Sequence, residues 1–279
     1  MKILSEKRVK WIEIGISIMG HLSIMPIFII LLYISYRGLQ HISWDFLFSM
    51  PEDSMRGGGI FPAILGTLYL TLLTVIISVP FGVLTAIYLV EYAKENTFTR
   101  LIELMILNLA GIPSIIYGLF GMALFVISFQ LGVSMIAGSL TLAIMCLPVM
   151  ITATKEALRA IPRELREASL ALGATQWQTI QKITLPAAFP GILTGVILSI
   201  SRAVGETAPI MFTAVAFYLP FLPESIWEQV MTLPYHLFVI STQIPNMPRE
   251  MMEGTVFVLV LIAVGFNLLG AFVRHCYQK

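Results

Sequence analysis

LMILNLAGIPSIIYGLFGMALFVISFQLGVSMIAGSLTLAIMCLPVMITAT, residues 104–154, is a run of 51 residues that contains no Asp, Glu, Lys or Arg. A helix needs about 20 apolar residues to cross the ~30 Å hydrocarbon core of a bilayer. The run is therefore too long for one membrane helix, and the segment Gln130–Ser134 supplies a turn between two. This stretch predicts an all-α membrane protein.

The composition of the whole chain supports the same class. Apolar residues make up 57% of the 279 positions, charged residues 12%, and the mean hydropathy is +0.88. Soluble domains are about 45–50% apolar and about 25% charged, so this surface must face lipid and a soluble enzyme is excluded. The formal net charge of +1 gives no field for nucleic acid. Cys146 and Cys276 lie far apart, which excludes a disulfide framework, a zinc site and a haem site.

Four further apolar runs each predict one membrane span, giving six in a single transmembrane domain, residues 1–279. The fifth-span run continues past an embedded Arg202 and Glu206 towards Thr213. The four runs are residues 14–36, 57–90, 185–201 and 255–273.

Lysine and arginine predict the direction of insertion, because they are retained on the cytoplasmic side. With the N-terminus inside, thirteen of them fall in cytoplasmic segments and three outside, so both termini are predicted to be cytoplasmic. The first span is too long for a signal peptide and lacks a small-residue cleavage site, which predicts an uncleaved helix. The predicted outer loops are about 37–60 and 209–254. The second is rich in proline and aromatic residues, as expected equally of a packed cap and of a docking surface for an external partner.

The cytoplasmic segment of about 154–186 is strongly patterned. Pro162 suits the first turn of a helix, and Arg163 and Glu167 are spaced to pair on one side of it. Gly173 predicts the end of that helix, and Thr175 with Gln178 predicts a capping box that opens a second one. The apolar face of the first helix is predicted to hold Leu165, Ala168, Ser169 and Leu172. The segment is thus a bent helical protrusion suited to docking in a groove of a cytoplasmic partner.

The same segment resembles the EAA loop of ABC importer permeases. Glu167-Ala168-Ser169, Gly173 and Ile183-Thr184-Leu185-Pro186 match its pattern EAA-x3-G-x9-I-x-L-P, with Ser169 in place of the second alanine. The resemblance implies a type I ABC importer (MetI-like) permease fold. It also implies that Glu167, Ala168 and Gly173 couple the chain to an ATPase. The chain has no G-x-x-x-x-G-K-[ST] phosphate loop, so ATP and Mg²⁺ are expected on that separate subunit, with no cofactor in this chain.

Arg202 and Glu206 are charges inside a predicted span, four residues apart and therefore predicted to share one face of the fifth helix. Charges inside a span are costly and commonly functional. One interpretation is an internal ion pair that neutralises itself within the bundle. The other is a pathway pair for an oxyanion, since guanidinium donors match phosphate oxygens. Hydrogen phosphate carries O–H donors that Glu206 can accept, whereas fully ionised sulfate has none and would be repelled.

Three motifs resemble phosphate permeases of the PstA type: SRAVGETAP (201–209), LAGIPSIIYGLFG (109–121) and YLVEY (88–92). This resemblance covers nearly the whole chain and implies a high-affinity phosphate importer with Arg202 and Glu206 in the pathway. It further implies a homologous second permease in a heterodimer, two copies of a cytoplasmic ATPase and an external phosphate-binding protein. The chain itself would not be catalytic, and its location would be the cytoplasmic membrane of a bacterium or archaeon.

Two alternatives remain at this point. The EAA loop does not separate phosphate from other oxyanions such as molybdate, sulfate or phosphonate. An ATP-independent secondary transporter or a membrane sensor is disfavoured by the capped helical protrusion and by the absence of an inverted repeat.

Overall fold

Long helices dominate the computed structural model, which describes residues 6–277. Its α-helices are α1 (Glu6–Leu39), α2 (Trp44–Phe48), α3 (Phe61–Ile87), α4 (Thr97–Ala110), α5 (Ser114–Gly121), α6 (Met135–Arg159), α7 (Arg163–Ala171), α8 (Gln176–Thr179), α9 (Leu185–Gly205), α10 (Ala208–Met211), α11 (Leu233–Thr242) and α12 (Arg249–Tyr277). Two short antiparallel strands, β1 (Pro51–Glu52) and β2 (Gly57–Gly58), flank a 3₁₀ turn at Asp53–Met55. Three π-helical turns, Tyr88–Tyr92, Met122–Ser128 and Ile180–Thr184, follow α3, α5 and α8. Of the predicted cytoplasmic basic residues, Lys2 and Lys279 lie outside the described part.

Five helical runs are long and apolar enough to cross a membrane, as predicted from the charge-free runs. A sixth span is present if the bent pair α4–α5 counts as one, and the chain is a multi-pass membrane protein. The five runs are Gly15–Leu39, Phe61–Tyr92, Met135–Arg159, Gln176–Gly205 and Arg249–Tyr277.

The predicted third span is not a straight helix. Its two halves, α4 and α5, meet at an angle of 104° around Gly111–Pro113. Proline disfavours the helical conformation in the preceding residue, here Ile112, so the chain leaves the helix before it re-enters at Ser114. The predicted turn that follows is confirmed, with Gln130 and Gly132 at positive φ.

The core of the bundle is formed by α3, α6 and α9. Small residues bring these helices together, because a Cβ at Gly82 would meet Met150, and one at Gly195 would meet Ala153 and Met150. In contrast, α1 is highly exposed along its apolar length and packs mainly along α12, where Gly38 lies against Phe257. This exposure fits a helix that faces lipid or another membrane subunit.

The end of the bundle that holds residues 209–248, here called the cap end, has its own apolar core. α10 and α11 are short helices of the proline-rich loop, and α11 packs with α2 and the start of α3. Burial lowers the pKa of His236 in α11 to about 4, so its imidazole is neutral. Phe221 and Trp227 remain exposed, so the structure combines a packed cap with a free aromatic surface.

Candidate functional site

Arg202 lies in the last turn of α9, and Glu206 comes directly after the helix. The fifth helix does not continue towards Thr213 as predicted, and the prediction that both residues share one helix face is wrong. In a continued helix the ring of Pro209 would clash with the carbonyl of Gly205. The helix therefore ends at Gly205, and Glu206 has extended backbone angles (φ −77°, ψ 134°).

The two side chains nevertheless remain together. Arg202 Nε lies 3.5 Å from Glu206 Oε1, and the side chains are 26% and 19% exposed. Within residues 6–277, neither side chain makes a hydrogen bond to any other residue. The guanidinium is thus paired on one edge and keeps its remaining N–H donors for a ligand, in an arrangement able to hold an oxyanion through two parallel hydrogen bonds.

Helix α5 packs against α10, the short helix that follows this ion pair in the chain. A Cβ at Gly118 would meet Ala208 and Pro209 at the start of α10, so the glycine allows the two helices to approach closely. Buried Tyr117 donates its O–H to the Leu109 carbonyl at 2.7 Å, across the break between the two helices. Sequence reasoning did not select Tyr117, although it lies inside the quoted motif 109–121.

At the opposite end of the bundle, α7, Gly173 and α8 form the predicted bent protrusion, called the hairpin (residues 163–184) from here on. Gly173 has φ +87°, and the capping box between Thr175 and Gln178 is present. The second helix runs through Leu185-Pro186. It continues into α9, so that Gln176–Gly205 is one helical run.

A π-helical turn at Ile180–Thr184 makes this continuity possible. Pro186 has no N–H, and its ring would clash with the Lys182 carbonyl in a regular α-helix. The wider turn absorbs this conflict without breaking the run.

The predicted apolar face of α7 is mostly uncovered. Of its four residues only Ser169 is buried, whereas Leu172 is 90% exposed and Leu165 47%. Glu167, Ala168 and Gly173 are exposed as well. An uncovered apolar face on a capped hairpin is the property expected of a docking element.

Ser169, the departure from the EAA pattern, has a specific partner. Its hydroxyl lies 2.9 Å from the hydroxyl of Thr179, and both residues are buried. The serine therefore joins α7 to α8, a contact that alanine could not make.

Arg163 and Glu167 both lie in the described part of the chain, and they do not form the predicted ion pair. Both line a cleft of about 1120 Å³ with Arg100 and Glu103 of α4. The ion pair of α7 is made instead by Arg166, whose Nε lies 3.1 Å from Oε1 of Glu91, just beyond α3. Sequence reasoning missed this pair; the only signal was the place of Glu91 in the motif 88–92.

Comparison with known proteins gives the family. Residues 78–278 match the family described as binding-protein-dependent transport system inner membrane component. The chain belongs to this family. It is 35% identical over 249 residues to the probable ABC transporter permease YqgI of Bacillus subtilis, covering 85% of this chain and 84% of YqgI. It is 38% identical over 226 residues to the phosphate transport system permease protein PstA of Mycobacterium leprae, covering 81% and 73%. The resemblance to PstA-type permeases is confirmed.

Solved structures confirm the fold. A chain of a bacterial alginate ABC transporter, in complex with a periplasmic protein bound to alginate pentasaccharide, matches with a TM-score of 0.69 at 14% identity. The match covers 100% of this chain and 99% of that one. A chain of the inward-facing MetNI methionine ABC transporter matches with a TM-score of 0.64 at 18% identity, covering 78% and 95%. The predicted MetI-like permease fold is therefore correct.

Proposed function

We propose that this chain is the membrane subunit of an ATP-driven phosphate importer. A homologous second permease completes the translocation path, two copies of a cytoplasmic ATPase bind below it, and an external phosphate-binding protein delivers the cargo. The family and the PstA relatives support this assignment. The single observation that carries the choice of cargo is the Arg202–Glu206 pair, whose free donors and free acceptor lie side by side.

Recognition of phosphate follows from the two charges acting together. Arg202 supplies a planar set of N–H donors to the phosphate oxygens. Glu206 accepts a hydrogen bond from the P–OH of hydrogen phosphate, and the same carboxylate repels sulfate, which has no proton to donate. Both side chains are partly exposed, which leaves the pair accessible to a ligand.

Movement of the ATPase is transmitted to the membrane helices through the hairpin. Exposed Leu165 and Leu172 form the apolar contact with the ATPase, beside Glu167 and Ala168. ATP and Mg²⁺ bind to that partner. This assignment places the hairpin end of the bundle, with both termini, in the cytoplasm of a bacterium or archaeon, and the cap end outside.

Uptake of ³²P-phosphate by membrane vesicles that contain the complete complex tests the proposal. Uptake is expected to require ATP inside the vesicle and to persist in a large excess of sulfate. Strong inhibition by sulfate, molybdate or a phosphonate would point to another oxyanion as the cargo. Uptake that continues without the ATPase subunit would point to a secondary transporter instead.

A further inference from the structure

We propose that Glu91 is a positioning residue that links the hairpin to the end of α3, so that movement of the hairpin reaches the second span as well as the fifth. The inference rests on the proposed function, in which the hairpin receives movement from an ATPase. It adds a second connection to the one that the chain makes covalently through α9.

The first half of the link is the side chain of Arg166 in α7. It donates from Nε to Glu91 Oε1 at 3.1 Å, from Nη1 to the Ile161 carbonyl at 3.0 Å and from Nη2 to the Leu158 carbonyl at 2.6 Å. One guanidinium thus fixes α7 to the end of α6 and to Glu91 at the same time.

The second half comes from the other helix of the hairpin. Gln176, the first residue of α8, donates its side-chain N–H to the backbone carbonyl of Glu91 at 2.5 Å. Both helices of the hairpin therefore hold one residue, α7 through its carboxylate and α8 through its carbonyl. The two contacts together restrict rotation as well as translation of the hairpin relative to α3.

Burial makes the ion pair more than a surface contact. The side chain of Glu91 is 9% exposed and that of Arg166 17%. Removing one partner of such a pair leaves a poorly solvated charge, which is far more disruptive than the loss of an exposed pair. The chain offers a matched control in Glu156–Arg159, 3.7 Å apart with side chains 68% and 53% exposed.

Hydrogen–deuterium exchange on the chain in lipid nanodiscs tests the link without any partner. Glu91→Ala is expected to speed amide exchange in α7 and α8 at least about tenfold, as local opening becomes easier. The isosteric Glu91→Gln should give a smaller effect in the same direction, and Glu156→Gln none. Wild-type exchange in a folded Glu91→Ala protein would overturn the proposal.

The assembled complex tests the transmission of movement. In Glu91→Ala and Arg166→Gln, phosphate transported per ATP hydrolysed is expected to fall about fivefold or more while hydrolysis continues. The double variant should be no worse than the worse single, because the two residues act as one unit. A purely structural role would lower the amount of complex and leave this ratio unchanged, which would refute the link. If the wild-type complex moves no phosphate, the proposed function fails, and the exchange experiment alone decides the link.

Discussion

Two arginines, one at each end of the bundle, show how the same side chain can serve structure or binding. Arg166 at the hairpin end uses all three of its nitrogens on a carboxylate and two carbonyls. Within residues 6–277, Arg202 at the cap end forms one ion pair, with Glu206 at a longer 3.5 Å, and no side-chain hydrogen bond to another residue. A guanidinium with all three nitrogens engaged by the protein keeps only two of its five N–H groups, and so has little capacity to bind a ligand. A guanidinium with free donors in a partly buried site has such capacity, and under the proposed function bound phosphate would offset the cost of its burial.

The substitution Arg202→Gln is expected to have the largest effect on phosphate uptake. Removal of the charge and the planar donor set should lower phosphate uptake at least about 100-fold, equivalent to about 2.7 kcal/mol of lost stabilisation. The amount of assembled complex should stay the same, because among the described residues Arg202 pairs only with Glu206, whose side chain is itself partly exposed. Uptake by vesicles normalised to complex measures this effect, and wild-type uptake would remove the pair from the pathway.

Glu206→Gln sharpens the assignment of cargo. The amide keeps an acceptor for the P–OH but loses the charge that repels sulfate. Phosphate uptake is expected to fall about tenfold, the equivalent of about 1.4 kcal/mol, while inhibition by sulfate increases. Competition curves for the variant and wild type give the measurement, and unchanged sulfate sensitivity would contradict the role given to Glu206.

Gly173→Val tests the hairpin through its backbone alone. No atom lies within 4 Å of a Cβ placed there, but φ is +87°, which costs a branched side chain about 1–2 kcal/mol. Co-purification of the ATPase and phosphate uptake should both fall several-fold. Gly173→Asn is the matched control, because asparagine tolerates positive φ, and it should retain most of the activity. Equal losses in both variants would show that the contact surface, not the bend, is what matters.

The smallest effect is expected from Ser169→Ala, which restores the alanine of the EAA pattern. It removes the hydrogen bond to Thr179 and should lower the stability of the protein by about 1 kcal/mol, with uptake within about twofold of wild type. Thr179→Val should act similarly, and the double variant should not add the two losses. Thermal unfolding in detergent provides the readout, and full additivity would mean that the two hydroxyls do not act as a pair.

The part of the fold that was predictable from sequence is the part that short-range rules govern. Charge-free runs locate the spans, and Gly173 with the Thr175 capping box locates the bend, because each signal lies within a few residues of its effect. The end of α9 at Gly205 and the break before Pro113 were not predicted, although Pro209 and Pro113 are both signals for the end of a helix. Both prolines lie in apolar segments, and apolar composition alone predicts a continuous membrane helix there.

The candidate site was also predictable from sequence only in part. Arg202 and Glu206 are close enough in sequence to be predicted as a pair, although the prediction that Glu206 lies on the helix was wrong. Glu91 and Arg166 are 75 positions apart, and their contact depends on how α3, α6 and the hairpin pack. The place of Glu91 in the motif 88–92 does not identify its partner, and the local spacing rule predicts the pair Arg163–Glu167 instead.

Because Gln176–Gly205 is one helical run, the second helix of the hairpin and Arg202 lie on the same continuous element. At ~1.5 Å per residue, about 39 Å separate Gln176 from Arg202. A tilt of the run by only about 5° about its hairpin end would therefore displace Arg202 by roughly 3 Å, about the length of a hydrogen bond. Glu206 lies just beyond the end of this helical run, on extended chain that leads into α10. Small angular changes at one end could thus open and close the pair at the other.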